Sequence, residues 1–166
     1  TTPIVTGKAP NIDQYVTVEV SVSDGVNEPV IRKKTLKVGK SEQEERQEFI
    51  SFLDRLGIVS NGDRPFVGMR MWSFGSDGFV FFGIVQARIG NSWLVSAYGG
   101  NYTLSSKKNS KGEYTASCHF ILKESRFLPD GEVIAQVKHD ETLTVRLKRE
   151  GNALLINGVK FEKFGQ

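Results

Sequence analysis

The sequence predicts an all-β protein with one α-helix, folded as an antiparallel β-sandwich or jelly roll or as a closed β-barrel of about 10–11 strands. Short runs rich in aromatic and β-branched residues recur along the chain, and Gly, Asn, Asp and Ser separate them. The run at residues 66–98 is apolar on both faces of its strands. We therefore expect a central sheet that is covered from both sides, so that only its rim and loops are free to contact a partner.

Length and composition are those of a globular protein. The 166 residues are enough for one core, and we expect an N-terminal arm or linker at 1–14 followed by a single β-domain over 15–166. The 39% of hydrophobic and 25% of charged residues are average values, which disfavours disorder along the whole chain. No apolar run approaches the length of a transmembrane helix. Because the first residue is not Met, we expect a processed product or a domain of a longer protein.

The first two predicted strands differ in charge. Residues 15–23 alternate valine with polar residues, which predicts a half-buried strand. Residues 30–38 carry arginine and lysine on both sides. We expect an edge strand there, because lysine blocks pairing between sheets, and a basic binding strip is the alternative.

Residues 41–56 form the one predicted helix. Ser41 and Glu44 have the spacing of a capping box, and Gly57 stands where a helix of this length ends. One apolar stripe with helical spacing contains Phe49, Phe52, Leu53 and Leu56. We expect this helix to lie on a sheet or to close one end of a barrel.

Turn signals divide the rest of the chain into strands. The central run breaks at 75–78 and 90–92, and Gly99-Gly100-Asn101 ends it. His139-Asp140 is expected in a turn, and Asn157-Gly158 is the strongest hairpin signal of the sequence. The further strands are predicted at 102–108, 113–123, 133–138, 142–149, 153–156 and 159–164.

Few side chains suited to catalysis are present. Cys118 and His119 are neighbours in a predicted strand, so their side chains should point to opposite faces, which disfavours a cysteine–histidine dyad. Cys118 is most simply a small buried apolar residue. Neither the spacing of a metal site nor a phosphate-binding glycine loop occurs. We therefore expect no catalytic residues, no metal and no cofactor.

Two features point to recognition of a ligand. Arg70 is the one charged residue of a strand that is otherwise apolar on both faces, so it should pair with an internal acid or line a ligand cavity. Trp93, Tyr98, Asn101 and Tyr102 could form an aromatic stacking platform with an amide beside it, as sugar binding requires. The alternative is that Trp93 and Tyr98 belong to the core.

Two predicted strands carry several basic residues each. Arg32, Lys34 and Lys37 lie on one of them, and Arg146 and Lys148 lie on the other. If these side chains converge, they could follow a phosphate backbone; if they are scattered, they only keep the protein soluble. The net charge of +3 permits either role.

These observations lead to three hypotheses. The first is a non-catalytic, lectin-like binding module that recognises a glycan or a protein surface, as a domain of a viral, phage or extracellular assembly, either in a homo-oligomer or in a larger chain. The second is a nucleic-acid-binding β-domain that uses the basic strips. The third is a calycin-like barrel that carries an apolar ligand beneath the helix. The sequence predicts no cellular compartment.

Overall fold

A computed structural model describes residues 14–165, which contain one helix and ten strands. The predicted all-β class with a single helix is confirmed. The predicted arm at 1–14 lies outside the described residues except for Gln14. The helix, α1, spans Glu42–Leu56. The strands are β1 Gln14–Val22, β2 Val30–Val38, β3 Val59–Ser60, β4 Arg70–Phe74, β5 Phe79–Ile89, β6 Ser92–Leu104, β7 Tyr114–Leu128, β8 Val133–Glu150, β9 Ala153–Ile156 and β10 Val159–Lys163.

The chain divides into two compact units, Thr1–Glu44 and Glu45–Gln166. The boundary falls in the first turn of α1, inside the range that the sequence assigned to a single β-domain. Within residues 14–165, no helix is both long and apolar enough to cross a membrane.

The first unit contains an antiparallel hairpin of β1 and β2, in which Val18 lies opposite Lys34. Both segments are strands, as predicted, and among the described residues β2 lies at an edge of its sheet. The prediction that β1 is half-buried is wrong, because residues 17–22 are exposed on both sides and Val22 keeps 64% of its surface. The reason is that the described part of this unit contains two strands and no second layer of structure.

Helix α1 begins and ends as the sequence predicts. The backbone N–H of Ser41 donates to Oε2 of Glu44 over 2.8 Å, and the backbone N–H of Glu44 donates to Oγ of Ser41 over 3.2 Å. Gly57 ends the helix with a φ of 64°. The guanidinium of Arg46 donates to the carbonyls of Leu104 and Ser105, each over 3.1 Å, and so fixes the helix to the end of β6.

The other eight strands form a closed antiparallel barrel in the order β10, β3, β4, β5, β6, β7, β8, β9. Its interior and the apolar stripe of α1 form one hydrophobic core. The ring of Trp72 lies at the centre, 5.6 Å from Phe74, 4.5 Å from Phe82 and 6.2 Å from Phe120, measured between ring centroids. Aromatic side chains therefore fill the barrel.

Two predicted breaks are wrong. The strand β6 runs through 99–101, and β8 runs through His139 and Asp140. Residues 99–101 pair with the long strand β7, whereas His139 and Asp140 lie in a bulge of β8 opposite Ile121, between paired stretches of the two strands. The paired stretches on either side keep these residues in strands, although glycines and polar residues are typical of turns.

The central strands are covered unequally on their two sides. The outer side of β4–β6 carries a second, smaller cluster, formed by Met69, Met71, Val85 and Val95. These four residues are buried, whereas Phe79 on the same side keeps 46% of its surface. The predicted strand at 66–74 is also shorter than expected, because β4 begins at Arg70.

We predict that Gly100→Ala destabilises the barrel by about 3 kcal/mol, the upper range for overpacking. A Cβ at this position would lie 2.8 Å from the carbonyl carbon of His119 and 2.8 Å from Cα of Phe120, and these backbone atoms cannot move independently of the sheet. Urea unfolding of the full chain measures the effect.

Gly99→Ala is the matched control. Its Cβ would have Phe79 as nearest neighbour, at 3.9 Å, so it should change the free energy of unfolding by less than about 1 kcal/mol. Equal midpoints of urea unfolding for the two variants would contradict the close approach of the β6 and β7 backbones.

Candidate functional site

An apolar groove of about 390 Å³ lies on the outside of the barrel. Its lining comes from β4–β6, from the ends of β3 and β10, and from β7 with the turn that follows it. The lining residues are Met71 and Ser73; Phe79 and Phe81; Val95 and Ala97; Ile58 and Phe164; and Arg126, Leu128 and Gly131.

Strand alternation explains why these residues face outwards. Ser73 lies opposite Phe81, and Ala97 lies opposite Gly83, so these residues share the outer face. Their neighbours in sequence, such as Trp72 and Phe82, point into the barrel. The same strands thus supply both the interior and the floor of the groove.

Gly83 gives the floor of the groove its shape. A Cβ at this position would lie 3.1 Å from Cε of Met71 and 3.0 Å from Cζ of Phe81. These two side chains therefore lie over the bare backbone of Gly83, where any larger residue would displace them. The floor is built from a flexible thioether chain and an aromatic ring.

The groove contains one charged lining residue, and its charge is matched. The Nε of Arg126 donates to Oε2 of Glu124 over 2.6 Å, and Nη2 contacts the same oxygen. The Glu124 side chain is 12% exposed and that of Arg126 is 42% exposed. The groove therefore offers an almost neutral, apolar surface with one guanidinium at its rim.

A second pocket, of about 450 Å³, is polar. It lies around the ends of β3, β8 and β10, and its lining includes Asp63, Glu150, Lys160 and Glu162. Nζ of Lys160 and Oε1 of Glu162 are 2.7 Å apart, so these two charges of the pocket are paired within the protein. The lining of this pocket thus carries charges of both signs.

The structure does not bring the predicted sugar-binding residues together. Trp93 and Asn101 face out of the barrel, whereas Tyr98 and Tyr102 face in, because odd and even positions of β6 lie on opposite sides. Trp93 is half-buried in the outer cluster, with the guanidinium of Arg88 at 5.6 Å from its ring.

The two tyrosines belong to the interior. Tyr98 packs on Phe82 with 5.8 Å between ring centroids, and the Lys123 ammonium lies 5.5 Å from its ring. Tyr102 is buried, and its hydroxyl donates to the carbonyl of Gly75 over 3.1 Å. Burial raises the pKa of Tyr102. Both side chains stabilise the fold, which was the alternative role considered for Tyr98.

The expectation that Arg70 is buried is wrong. It is the first residue of β4, and its side chain is exposed. Its backbone N–H donates to Oδ1 of Asn61 over 2.8 Å, and its carbonyl accepts from the Asn61 backbone N–H over 3.2 Å. The arginine therefore lies where the strand starts, outside the apolar interior.

The basic residues lie in different units of the chain. Arg32 and Lys34 are on β2, whereas Arg146 and Lys148 occupy alternate, exposed positions of β8. The side chain of Lys37 lies outside the described part of the structure. Nε of Arg146 is 3.8 Å from Oε2 of Glu113, so its charge is partly neutralised.

The cysteine and the histidines do not form a reactive group. Cys118 is buried, and burial raises the pKa of its thiol to about 12. His119 points to the opposite face, as predicted, and its Nε2 lies 2.8 Å from Oδ1 of Asp140. His139 is paired in the same way with Glu141, at 2.9 Å. Residues 14–165 contain no group of three or more His, Cys, Asp or Glu side chains arranged to hold a metal ion.

The groove residues were missed by the sequence analysis. The only sequence pattern that pointed to these residues was that the strands at 66–98 are apolar on both faces. This pattern was interpreted as a sheet covered completely on both sides. No protein-family model, curated protein or solved structure matches the chain. Inference about function therefore depends on the geometry of the groove.

We predict that Cys118→Ala makes stability less sensitive to alkaline pH. The folded thiol has a pKa of about 12, whereas in the unfolded chain it ionises near its ordinary value of 9.0. The contribution of the protonated Cys118 thiol to the free energy of unfolding is therefore complete below pH 9. It is lost as the pH rises towards 12, by up to about 1.4 kcal/mol per pH unit.

Urea unfolding at several pH values across this window tests the prediction. The variant should lose stability less steeply than the natural chain, while the buried Tyr102 contributes equally to both. Identical slopes would show that the thiol ionises equally well in the folded and the unfolded chain.

Proposed function

We propose that the barrel is a binding module that recognises a protein partner by accepting apolar side chains in its outer groove. The observation that carries this proposal is the cavity of about 390 Å³ on the outer face of β4–β6, lined almost wholly by apolar atoms. Contiguous exposed apolar surface of this kind marks interaction sites on proteins.

The composition of the groove supports a protein partner. Ile58 and Phe79 keep 47% and 46% of their surface, so they are free to contact another molecule. Aromatic residues, methionine and arginine are enriched where proteins bind one another, and Phe81, Met71 and Arg126 line this groove.

A protein fits this groove better than a glycan does. Sugars need several hydrogen-bonding groups beside an aromatic ring, whereas the polar side chains of the lining are Ser73 and Arg126. The Arg126 guanidinium already bonds to Glu124. Such a lining favours apolar side chains over hydroxyl groups.

The groove is also a more accessible apolar site than the barrel interior. The rings of Trp72, Phe82 and Phe120 occupy the space that a ligand would fill in a calycin-like barrel. For nucleic acid, the cation of Arg146 has Glu113 beside it, which weakens its attraction for phosphate.

We predict that Phe79→Asp weakens recognition without unfolding the barrel. Peptides selected on the full chain from a random phage-displayed library should be rich in apolar residues. Their affinity, measured by fluorescence polarisation, should fall at least about tenfold for the variant, because one aromatic contact of an interface is commonly worth more than 1 kcal/mol. Since Phe79 is 46% exposed, the variant should keep its unfolding midpoint.

Val159→Asp is the matched control, because Val159 is 49% exposed and does not line the groove. It should bind the selected peptides as the natural chain does. Peptides that bind all three proteins equally would contradict the proposal. So would a glycan array on which binding depends on Trp93 or Asn101 and not on Phe79.

A further inference from the structure

The hairpin of the first unit has two open edges. Among the described residues, β1 and β2 are each other's only hydrogen-bonded neighbours, so each strand presents a row of unpaired backbone groups on its other side. A two-stranded sheet is marginally stable in water, and further strands stabilise it. The hairpin is therefore suited to pairing with another strand.

The two edges differ in charge. The strand β2, VIRKKTLKV, carries one arginine and three lysines, and such residues disfavour pairing along an edge. The strand β1, QYVTVEVSV, carries one charged residue, Glu19, and Oε2 of Glu19 lies 2.8 Å from Nζ of Lys33. Its valines, tyrosine and threonine have high β-propensity, and it contains no proline. The edge of β1 is thus the one that permits pairing.

We propose that β1 pairs with β1 of a second copy of this chain, so that two hairpins form one four-stranded antiparallel sheet. The two strands would be centred on Val18, which would meet its own copy at the twofold axis. In this register Val16 lies opposite Val20 of the second copy, and Glu19 lies opposite Thr17. No like charges meet, and both rows of valine lie on the same face.

The charges of the hairpin favour this arrangement over face-to-face packing. Arg32 lies opposite Val20 and Lys34 lies opposite Val18, so both cations are on the valine face. Two hairpins stacked on that face would bring these cations against their copies, which is repulsive. Pairing along β1 leaves the cations on the outer strands, away from the axis.

Sedimentation velocity of the full chain over a range of concentrations tests the proposal. The natural chain should form a dimer, and Val18→Glu should weaken it at least about tenfold, because two carboxylates would meet at the axis. Within its own hairpin the new carboxylate lies opposite Lys34, so the hairpin itself should be preserved.

Ile31→Glu is the matched control. Ile31 is 48% exposed and lies on β2, so the same change of charge should leave the dimer intact. A chain that stays monomeric at every concentration, or equal weakening by both variants, would overturn the proposal.

Oxidative cross-linking provides an independent readout that does not depend on the charge change. With copper–phenanthroline as oxidant, Val18→Cys should give a disulfide-linked dimer, whereas Val30→Cys on β2 should not. The natural Cys118 is buried and should not react. Equal cross-linking by the two variants would show that the chains do not associate through β1.

Discussion

The closed barrel imposes one constraint on which the rest of the structure depends. In β4, β5 and β6, successive side chains point alternately to the inside and the outside, and the sequence supplies apolar residues at both sets of positions. The inward set, with Trp72 at its centre, fills the interior with aromatic rings. Of the outward set, Met71 and Val95 are buried while Phe79 stays exposed, and an apolar groove lies over these strands. The alternation that packs the core therefore also creates the candidate binding surface.

Two positions, one in the barrel and one in the groove, are occupied by glycine where a side chain would meet its neighbours closely. At Gly100 the absence of a side chain lets the backbones of β6 and β7 approach closely beside the bulge. At Gly83 it makes room on the outer face for the side chains of Met71 and Phe81. A substitution at the first position would disturb the barrel, whereas one at the second would change the shape of the groove. Gly100 of β6 therefore determines how closely the barrel strands approach, and Gly83 of the adjacent β5 determines the shape of the groove.

Local signals predicted much of the fold. The capping box at Ser41 located α1, and Asn157 with a φ of 51° forms the expected turn between β9 and β10. Segments whose structure depends on distant partners were harder to predict: residues 99–101 lie in a strand because β7 pairs with them, and His139 lies in a bulge between stretches of β8 that pair with β7. The groove could not be predicted, since an apolar strand face has the same sequence pattern whether other residues cover it or leave it open. The position of Arg70 was missed because β4 begins at this residue.

The proposed function requires that an apolar partner enters the outer groove and not the barrel. A methyl NMR titration with 1-anilinonaphthalene-8-sulfonate, an anionic probe whose aromatic rings bind apolar surfaces, provides the test. Met71, Val95 and Ala97 report on the groove, while the buried Val145 and Leu154 report on the interior. Shifts confined to the first three residues are the predicted result. Shifts of Val145 and Leu154 with no change at the groove would contradict the claim and show that the ligand binds inside the barrel.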